Sequence, residues 1–352
     1  MEMKSVAAKD YALIDLHLHL DGSLSLASVR ELAAMQHIAL PDSDRALLSR
    51  LQVNKDCRDL NEYLEKFLFP LSLLQTKDSI TTVVCNLAEE LRQRGLIYAE
   101  IRFAPQLHTD QGLSQAEVIE AAIAGLKKSD FHANLILCCI RGRDNHRQNL
   151  ETVRLAKAYL GKGVCAVDLA GAEALYSTAD FAEEFSLAGA LEVPLTIHAG
   201  EADGPKSVYD ALAFGAKRIG HGVRSIEDAD LVSTLAQKGI ALELCPTSNL
   251  NTRIFDGLEA YPIRKLMKAG VKVTVNTDNM TVSGVCLESE YQKLIDAFCL
   301  TSSELETIVR NCVEASFADA AEKAWLLREL DRRFSNLSER SGQKTGKETV
   351  KR

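Results

Sequence analysis

The chain has 352 residues, of which 46% are hydrophobic and 26% charged, so it can bury a large core and is not expected to be disordered over most of its length. Its 41 basic and 49 acidic residues give a formal net charge of −8, which argues against nucleic acid or an anionic lipid surface as a partner. The first residues, MEMKSVAAKDYA, lack the apolar run of a signal peptide, and no stretch of about 18 apolar residues occurs elsewhere, so we expect a cytoplasmic protein without a membrane span.

Eight short apolar runs recur along the chain and predict strands. In chain order they are ALIDLHLHL (12–20), LIYAEIRFAP (96–105), ANLILCCI (133–140), VCAVDLAG (164–171), VPLTIHAG (193–200), KRIGHGV (217–223), IALELCP (240–246) and VKVTVNTD (271–278). Between them lie segments such as TTVVCNLAEELRQRG and AEVIEAAIAGLKKS. Their apolar residues recur at i, i+3, i+4 and i+7, which predicts crossover helices.

Strands that alternate with helices predict an α/β fold with a parallel sheet, and eight such units predict a (β/α)8 TIM barrel. A doubly wound open sheet is the alternative. The first crossover, from about residue 24 to 95, contains NEYLEKFLFPLSLLQ and predicts a long helical insertion over the mouth of the barrel. No linker rich in Pro, Gly or Ser interrupts the series, so we expect one domain over residues 1–337 and a polar, aperiodic, frayed tail over 338–352.

The nine cysteines are scattered and form no CxxC pair. Several lie inside apolar runs such as LILCCI, which is typical of small buried side chains in a reducing compartment. The sequence therefore predicts neither a disulfide framework nor a zinc site built from thiolates.

Ionisable residues collect where the predicted strands end. His17 and His19 close the first strand, His198 the fifth, His221 the sixth and Asp278 the eighth. In a (β/α)8 barrel these ends meet at one face, where catalytic groups are found. Residues i and i+2 of a strand point the same way, so His17 and His19 can address one point, although a lone histidine on a strand is more often a core or surface residue.

Three imidazoles and one carboxylate suit a divalent metal of intermediate softness, and Zn²⁺ is the ion we expect at His17, His19, His198 and Asp278. A two-metal site would call for a bridging carboxylate, often a modified lysine, after the fourth strand. That strand ends VDLAGAE, without lysine, so we expect one ion and a water molecule as nucleophile.

Two further residues lie near this set. Glu201 in HAGE can carry protons between a nucleophile and a leaving group, or it can be an ordinary carboxylate in the first turn of a helix. His221 in IGHG, between glycines that allow close approach, can stabilise charge on the same water, or it can be a structural histidine.

Taken together, the motifs HLHLDGS, HAGE, GHG, CPTSN and NTDN closely resemble those of the adenosine deaminase family of the amidohydrolase superfamily, over about residues 12 to 300. The resemblance implies a (β/α)8 barrel with one zinc ion that hydrolyses the 6-amino group of adenosine or 2′-deoxyadenosine, giving inosine or 2′-deoxyinosine and ammonia. It implies zinc ligands at His17, His19, His198 and Asp278.

The resemblance also implies catalytic roles. Glu201 would protonate purine N1 while hydroxide adds to C6, His221 would orient the hydroxide and stabilise its charge, and Asp278 would help to deprotonate the water. The implied substrate contacts are His19, Asp21 at the ribose 5′-hydroxyl, Gly171 through its backbone N–H at purine N3, and Asn279 at purine N7.

Leu64 and Phe67 match apolar residues of the family's lid, although simple helix packing explains them equally well. Two positions depart from the common pattern. Asn279 stands where many members have a second aspartate, and its neutral amide can donate a hydrogen bond to N7 without being protonated first. Ala172 stands where many members have the second aspartate of the motif DLAGDE. A polar support near Gly171 is therefore missing, and its effect on substrate affinity stays open.

Other functions remain open. Adenine deaminases resemble this chain throughout but tend to carry Glu where Asp21 stands, and other 6-aminopurine nucleosides such as aminodeoxyfutalosine are further candidate substrates. A catalytically silent purine-binding barrel is the alternative from another class. The cytidine deaminase type is excluded because Cys245-Pro246 reverses the order of its PCxxC motif and the second cysteine is missing. The sequence leaves the oligomeric state open.

Overall fold

The computed structural model of this chain describes residues 7–54 and 57–348. Each of the eight predicted strands is present there, which confirms the predicted pattern. Strands β1 to β8 are Ile14–His19, Tyr98–Phe103, Ala133–Ile140, Val164–Ala170, Thr196–Ala199, Arg218–His221, Ala241–Leu244 and Lys272–Val275.

All neighbouring strands are parallel. They form two four-stranded sheets, in the orders β1-β2-β3-β4 and β5-β6-β7-β8. Single parallel bridges join the sheets at both seams, between Val167 and Leu195 and between Leu18 and Asp278. The fold is therefore the predicted (β/α)8 barrel, and the doubly wound alternative is wrong.

Helices surround the strands. Within the described residues, helices α1 to α16 are Leu26–Met35, Asp44–Leu51, Leu60–Leu64, Leu68–Leu73, Lys77–Gln93, Gln115–Leu126, His146–Tyr159, Ala182–Ala190, Pro205–Ala213, Ala229–Lys238, Pro246–Asn251, Ile263–Lys268, Met280–Ser283, Leu287–Phe298, Ser302–Ala315 and Ala320–Glu348. Short 3-10 helices occupy Ala8–Asp10, Glu65–Phe67, Pro105–His108, Thr178–Phe181, Val223–Glu227 and Leu258–Ala260. None of the helices in these ranges is long and apolar enough to cross a membrane.

The crossover helices form for local reasons that α5 illustrates. The side chain of Thr76 caps its N-terminus by accepting a hydrogen bond from the backbone N–H of Ser79. Ile80, Val84 and Leu87, which recur at helical spacing, are buried. The helix therefore lays one apolar stripe on the barrel and leaves its polar face to solvent.

The expected helical insertion lies between β1 and α5 and contains α1 to α4. The stretch NEYLEKFLFPLSLLQ forms α3, a 3-10 turn and α4 rather than one continuous helix. Tyr63, Leu64 and Phe67 from this stretch line a cavity at the carboxyl ends of the strands. The insertion thus covers the mouth of the barrel, as predicted.

The C-terminal segment differs from its prediction. Helix α16 continues through residues 338–348, which we expected to fray, and residues 349–352 lie outside the described part of the chain. Leu326, Leu330 and Phe334 of this helix are buried. Because a helix that packing has already nucleated extends at low cost, the polar residues that follow can remain helical.

Candidate active site

The carboxyl ends of the strands bring the predicted metal ligands together. His17 and His19 come from β1, His198 comes from β5, and Asp278 follows β8. One ligand atom from each of these four residues lies within 4.8 Å of the other three. The metal-ligating set that the sequence predicts is therefore assembled in space.

The distances within this set suit a tetrahedral ion. The Nε2 atoms of His19 and His198 are 3.2 Å apart, and Asp278 Oδ1 lies 3.4 Å from Nε2 of both His17 and His19. Bonds of about 2.0–2.1 Å to a tetrahedral zinc ion place neighbouring ligands about 3.3 Å apart. His17 Nε2 is buried without a hydrogen-bond partner, which is the state expected of an atom that binds a metal.

Two buried carboxylates orient these imidazoles. His17 Nδ1 lies 2.7 Å from Glu243 Oε2, and His198 Nδ1 lies 2.9 Å from Asp168 Oδ2. A carboxylate accepts the Nδ1–H, which leaves the Nε2 lone pair directed at the site. The rings are thus held in the tautomer that can bind a metal ion.

Asp278 is seated by backbone geometry as well as by its side chain. It has a left-handed backbone with φ of +61°, and its N–H donates to the His17 carbonyl at 2.8 Å. Burial alone raises the pKa of its carboxyl, but the contacts with the imidazoles of His17, His221 and His19 hold the pKa below its usual range. Asp278 is therefore an ionised carboxylate.

Glu201 lies in the turn after β5 and is 4% exposed. Burial raises its pKa well above the usual value, and the nearby carboxylates of Asp278 and Glu173 raise it further. Its Oε2 atom lies 3.6 Å from Nε2 of His221. A protonated carboxylic acid beside a candidate metal site can act as a proton donor.

The ring of His221 is fixed by a residue whose role we did not predict. Asn249 Nδ2 lies 3.1 Å from His221 Nδ1, while Asn249 Oδ1 accepts a hydrogen bond from the Tyr261 hydroxyl at 3.0 Å. The amide therefore donates to Nδ1, and the proton of a neutral His221 sits on Nε2. Burial lowers the pKa of His221 well below its usual value, so the neutral ring is favoured.

The remaining predicted residues share one cavity of about 280 Å³. It is lined by His19, Asp21, Leu60, Tyr63, Leu64, Phe67, Leu68, Leu71, Leu107, Ile140, Arg141, Ala170, Gly171, Ala172, His198, Glu201, His221, Asp278 and Asn279. A second cavity, of about 600 Å³, opens near Pro194, Ala241 and Lys272 and holds none of the predicted site residues. It lies at the amino ends of the strands, a face that serves stability in barrels of this type.

Two residues that line the cavity each carry a buried side-chain oxygen that lacks a hydrogen-bond partner within the described part of the chain. These oxygens are Asp21 Oδ1 and Asn279 Oδ1. Burial raises the pKa of Asp21 to about 6. A Cβ at Gly22 would lie 1.8 Å from Asn279 Oδ1, so only glycine allows Asn279 its place.

The model of the family described as Adenosine deaminase matches residues 12–333. The chain belongs to the adenosine deaminase family. It is 49% identical over 336 residues to the adenosine deaminase of Haemophilus ducreyi, covering 93% of this chain and 98% of that protein. It is 39% identical over 324 residues to the adenosine deaminase of Clostridium acetobutylicum, covering 90% of this chain and 96% of that protein.

Solved structures agree on the fold. The adenine deaminase of Arthrobacter aurescens superimposes on this chain with a TM-score of 0.82 at 26% sequence identity. The superposition covers 92% of this chain and 99% of that chain. This superposition supports the fold, and the family assignment rests on the sequence.

Sequence reasoning missed the residue that supports the HAGE turn. Glu173 accepts hydrogen bonds from the backbone N–H groups of residues 200, 201, 202 and 203, at 2.8, 3.0, 2.7 and 3.0 Å, and from the Ser207 hydroxyl. This member of the adenosine deaminase family thus has a buried carboxylate directly after Ala172. Glu173 fixes the backbone of Glu201. The only feature of the sequence that could have indicated this role is a charged residue in the loop after the fourth strand.

Asp168 and Glu243 were missed for a different reason. Each lies inside an apolar strand, in VDLA and in ALEL, where alternation directs it towards the barrel interior. A charged residue at an inward position of a strand is the signal that could have found them. For Asn249 the CPTSN motif was noticed, but nothing in it assigned a role.

Proposed function

We propose that this protein catalyses the zinc-dependent hydrolytic deamination of adenosine and 2′-deoxyadenosine, giving inosine or 2′-deoxyinosine and ammonia, a reaction of purine salvage. The observation that carries the proposal is the four-ligand set facing a buried Glu201 whose pKa is raised. The relatives from Haemophilus ducreyi and Clostridium acetobutylicum, both named adenosine deaminase, support this choice of reaction.

The donor set supports zinc as the ion. His17, His19 and His198 would hold it through Nε2, and Asp278 through a carboxylate oxygen. When bound, zinc supplies Lewis-acid activation of a water molecule near neutral pH. The carboxylates of Glu243 and Asp168, which contact the Nδ1 atoms of His17 and His198, favour one defined ion position.

The side chains around this set divide the proton transfers. Asp278, which is ionised, takes a proton from the attacking water and passes it to the 6-amino nitrogen, so that the C6–N6 bond breaks and ammonia leaves. Glu201, whose pKa is high, donates its proton to purine N1, which draws electron density away from C6. The proton of the new hydroxyl group on C6 returns to Glu201 as the product carbonyl forms. The Nε2–H of His221 donates to the oxygen on which negative charge develops. Two carboxyl groups with pKa values shifted in opposite directions thus take opposite roles.

The cavity suits a single nucleoside. Its volume of about 280 Å³ lies near the small end of ligand pockets, which run from about 300 to 1,000 Å³. We assign the backbone N–H of Gly171 to purine N3, the amide of Asn279 to N7 and the carboxyl of Asp21 to the ribose 5′-hydroxyl. His19 borders the same cavity, and Leu64 and Phe67 form part of the apolar wall that excludes water.

Free adenine is the second candidate substrate, because the superimposed protein from Arthrobacter aurescens is named adenine deaminase. The comparison to make is the rate of ultraviolet absorbance change with adenosine, 2′-deoxyadenosine, adenine and other 6-aminopurine nucleosides, using protein of known zinc content. We expect turnover of the two nucleosides. Turnover of adenine alone would overturn the choice of substrate. Binding of purines without any turnover would overturn the proposal that the protein is an enzyme.

A further inference from the structure

A buried arginine lies beneath the metal-ligating set. Arg102 extends from β2 and is 0% exposed. Of its two terminal nitrogens, Nη1 donates to Asp168 Oδ2 at 2.9 Å and Nη2 donates to Glu243 Oε2 at 2.8 Å. The second nitrogen also donates to the carbonyl of Leu16 at 2.7 Å. One side chain therefore binds two carboxylates and the backbone of β1.

Both carboxylates have a second contact, and in each case it is a metal-ligating imidazole. Asp168 Oδ2 lies 2.9 Å from His198 Nδ1, and Glu243 Oε2 lies 2.7 Å from His17 Nδ1. A continuous path of short polar contacts thus runs from His198 through Asp168, Arg102 and Glu243 to His17. It joins histidines from β5 and β1, strands that are not neighbours in either sheet.

The planar guanidinium is suited to this task. Its donors form a rigid fork that fixes the direction of each partner, whereas a lysine ammonium is a point charge on a flexible stem. Two ionised carboxylates in a dry interior also repel each other unless a cation lies between them. The position of Arg102 therefore determines where both carboxylates, and through them both rings, can rest.

We propose that Arg102 is a positioning residue that couples the His17 and His198 imidazoles, so that the two rings form one preformed metal site. The inference rests on the metal set of the proposed function. It adds that the affinity for the ion depends on a side chain that contacts neither the ion nor the substrate.

Arg218 provides a matched control. It is also 0% exposed and binds Glu243 Oε1 at 2.6 Å and Glu100 Oε2 at 2.6 Å. It therefore reaches one of the two carboxylates, and its polar contacts within the described part of the chain do not include Asp168. An effect shared by Arg102 and Arg218 variants reports the loss of a buried charge pair, whereas an effect confined to Arg102 reports the coupling.

The test is a double-mutant cycle with D168N and E243Q, made in the wild-type, R102K and R218K backgrounds. The measured quantity is the affinity for Zn²⁺ alone, obtained by competition with a chromophoric chelator, with circular dichroism as the check on folding. We expect R102K to weaken Zn²⁺ binding about 10- to 100-fold, the range found for residues that orient metal ligands. In wild-type protein and in R218K, we expect the effects of D168N and E243Q on Zn²⁺ affinity to differ from additivity by about fivefold or more. In R102K we expect the two effects on Zn²⁺ affinity to be additive.

Folded R102K protein that binds Zn²⁺ as tightly as wild type, or that keeps the same non-additivity, would overturn the coupling. If R102K does not fold, additive effects in the wild-type cycle would still overturn the coupling, because they would mean that nothing links the two imidazoles. Wild-type protein that binds no Zn²⁺ at all would instead remove the metal set on which the proposed function depends. The two failures are thus distinguishable.

Discussion

Replacing Glu201 by glutamine tests the proposed proton donor with almost no change in side-chain volume. Glu201 is 4% exposed, and burial together with the carboxylates of Asp278 and Glu173 raises its pKa. An unperturbed glutamate, with a pKa of about 4.3, is almost entirely ionised at neutral pH and is a poor donor. The raised pKa favours the protonated form of Glu201, and the glutamine amide cannot replace that acid.

The expected magnitude follows from the role. A positioned general acid contributes about 10²- to 10⁴-fold in rate, which is about 3 to 5 kcal/mol of activation free energy. We therefore expect E201Q to lower kcat by that factor with little change in KM. The kcat of E201D should lie between those of wild type and E201Q, because the shorter side chain keeps the acid but withdraws it from the 3.6 Å contact with His221.

The assay is the initial rate of ultraviolet absorbance change at saturating adenosine, with zinc content measured on the same samples. Zinc content should not change, because Glu201 is not one of the four predicted ligands, whose ligand atoms lie within 4.8 Å of one another. E183Q is the matched control, since the Glu183 side chain is 72% exposed and the same chemical change there should leave the rate unaltered. Zinc-loaded E201Q with a kcat near that of wild type would refute the assignment of Glu201 as the proton donor.

Three further outcomes are expected. H17A should purify without metal and without activity. The control H37A, at an exposed histidine, should keep both metal and activity. Metal in H17A at the wild-type level would contradict the predicted ligand set. D21E should shift preference from adenosine towards adenine, because the longer side chain fills the ribose space, and an unchanged ratio of kcat/KM values would argue against Asp21 as the ribose contact. Burial raises the pKa of Asp21 to about 6. Between the ordinary pKa of an aspartate and about 6, the folded state therefore binds more protons than the unfolded state. The free energy of unfolding accordingly falls as the pH rises through that range. Urea unfolding of wild type should therefore lose about 1 kcal/mol relative to D21N between about pH 5 and about pH 7, and a constant difference would contradict the raised pKa.

Much of the site could be read from the chain because its residues carry their own local signals. Alternation in LIDLHLHLDGS places His17 and His19 on one side of β1, and strand ends in a barrel meet at one face. HAGE and NTDN lie at corresponding ends of other strands, so Glu201 and Asp278 could be predicted to lie at the same face without coordinates. The insertion after β1 could also be recognised, since the first crossover is longer than a single helix requires.

Residues that act through distant partners could not be read in this way. Arg102 meets its carboxylates at Asp168 and Glu243, which are 66 and 141 positions away in the chain. Asn249 is 28 positions from His221. No local period relates such residues, because only closure of the barrel sets which inward-facing side chains touch.

The sequence by itself determined the type and order of the elements and predicted the ligand set, because hydrophobic periodicity and polar strand ends are local properties of the chain. Only the tertiary structure decided the state of the groups in the site. Strand β8 ends at Val275, and Asp278 reaches the imidazoles through a left-handed turn that pairs with β1 across the seam. The opposite pKa shifts of Asp278 and Glu201 arise in the same way, because burial and neighbouring charge are properties of the folded barrel and not of the segments that form it.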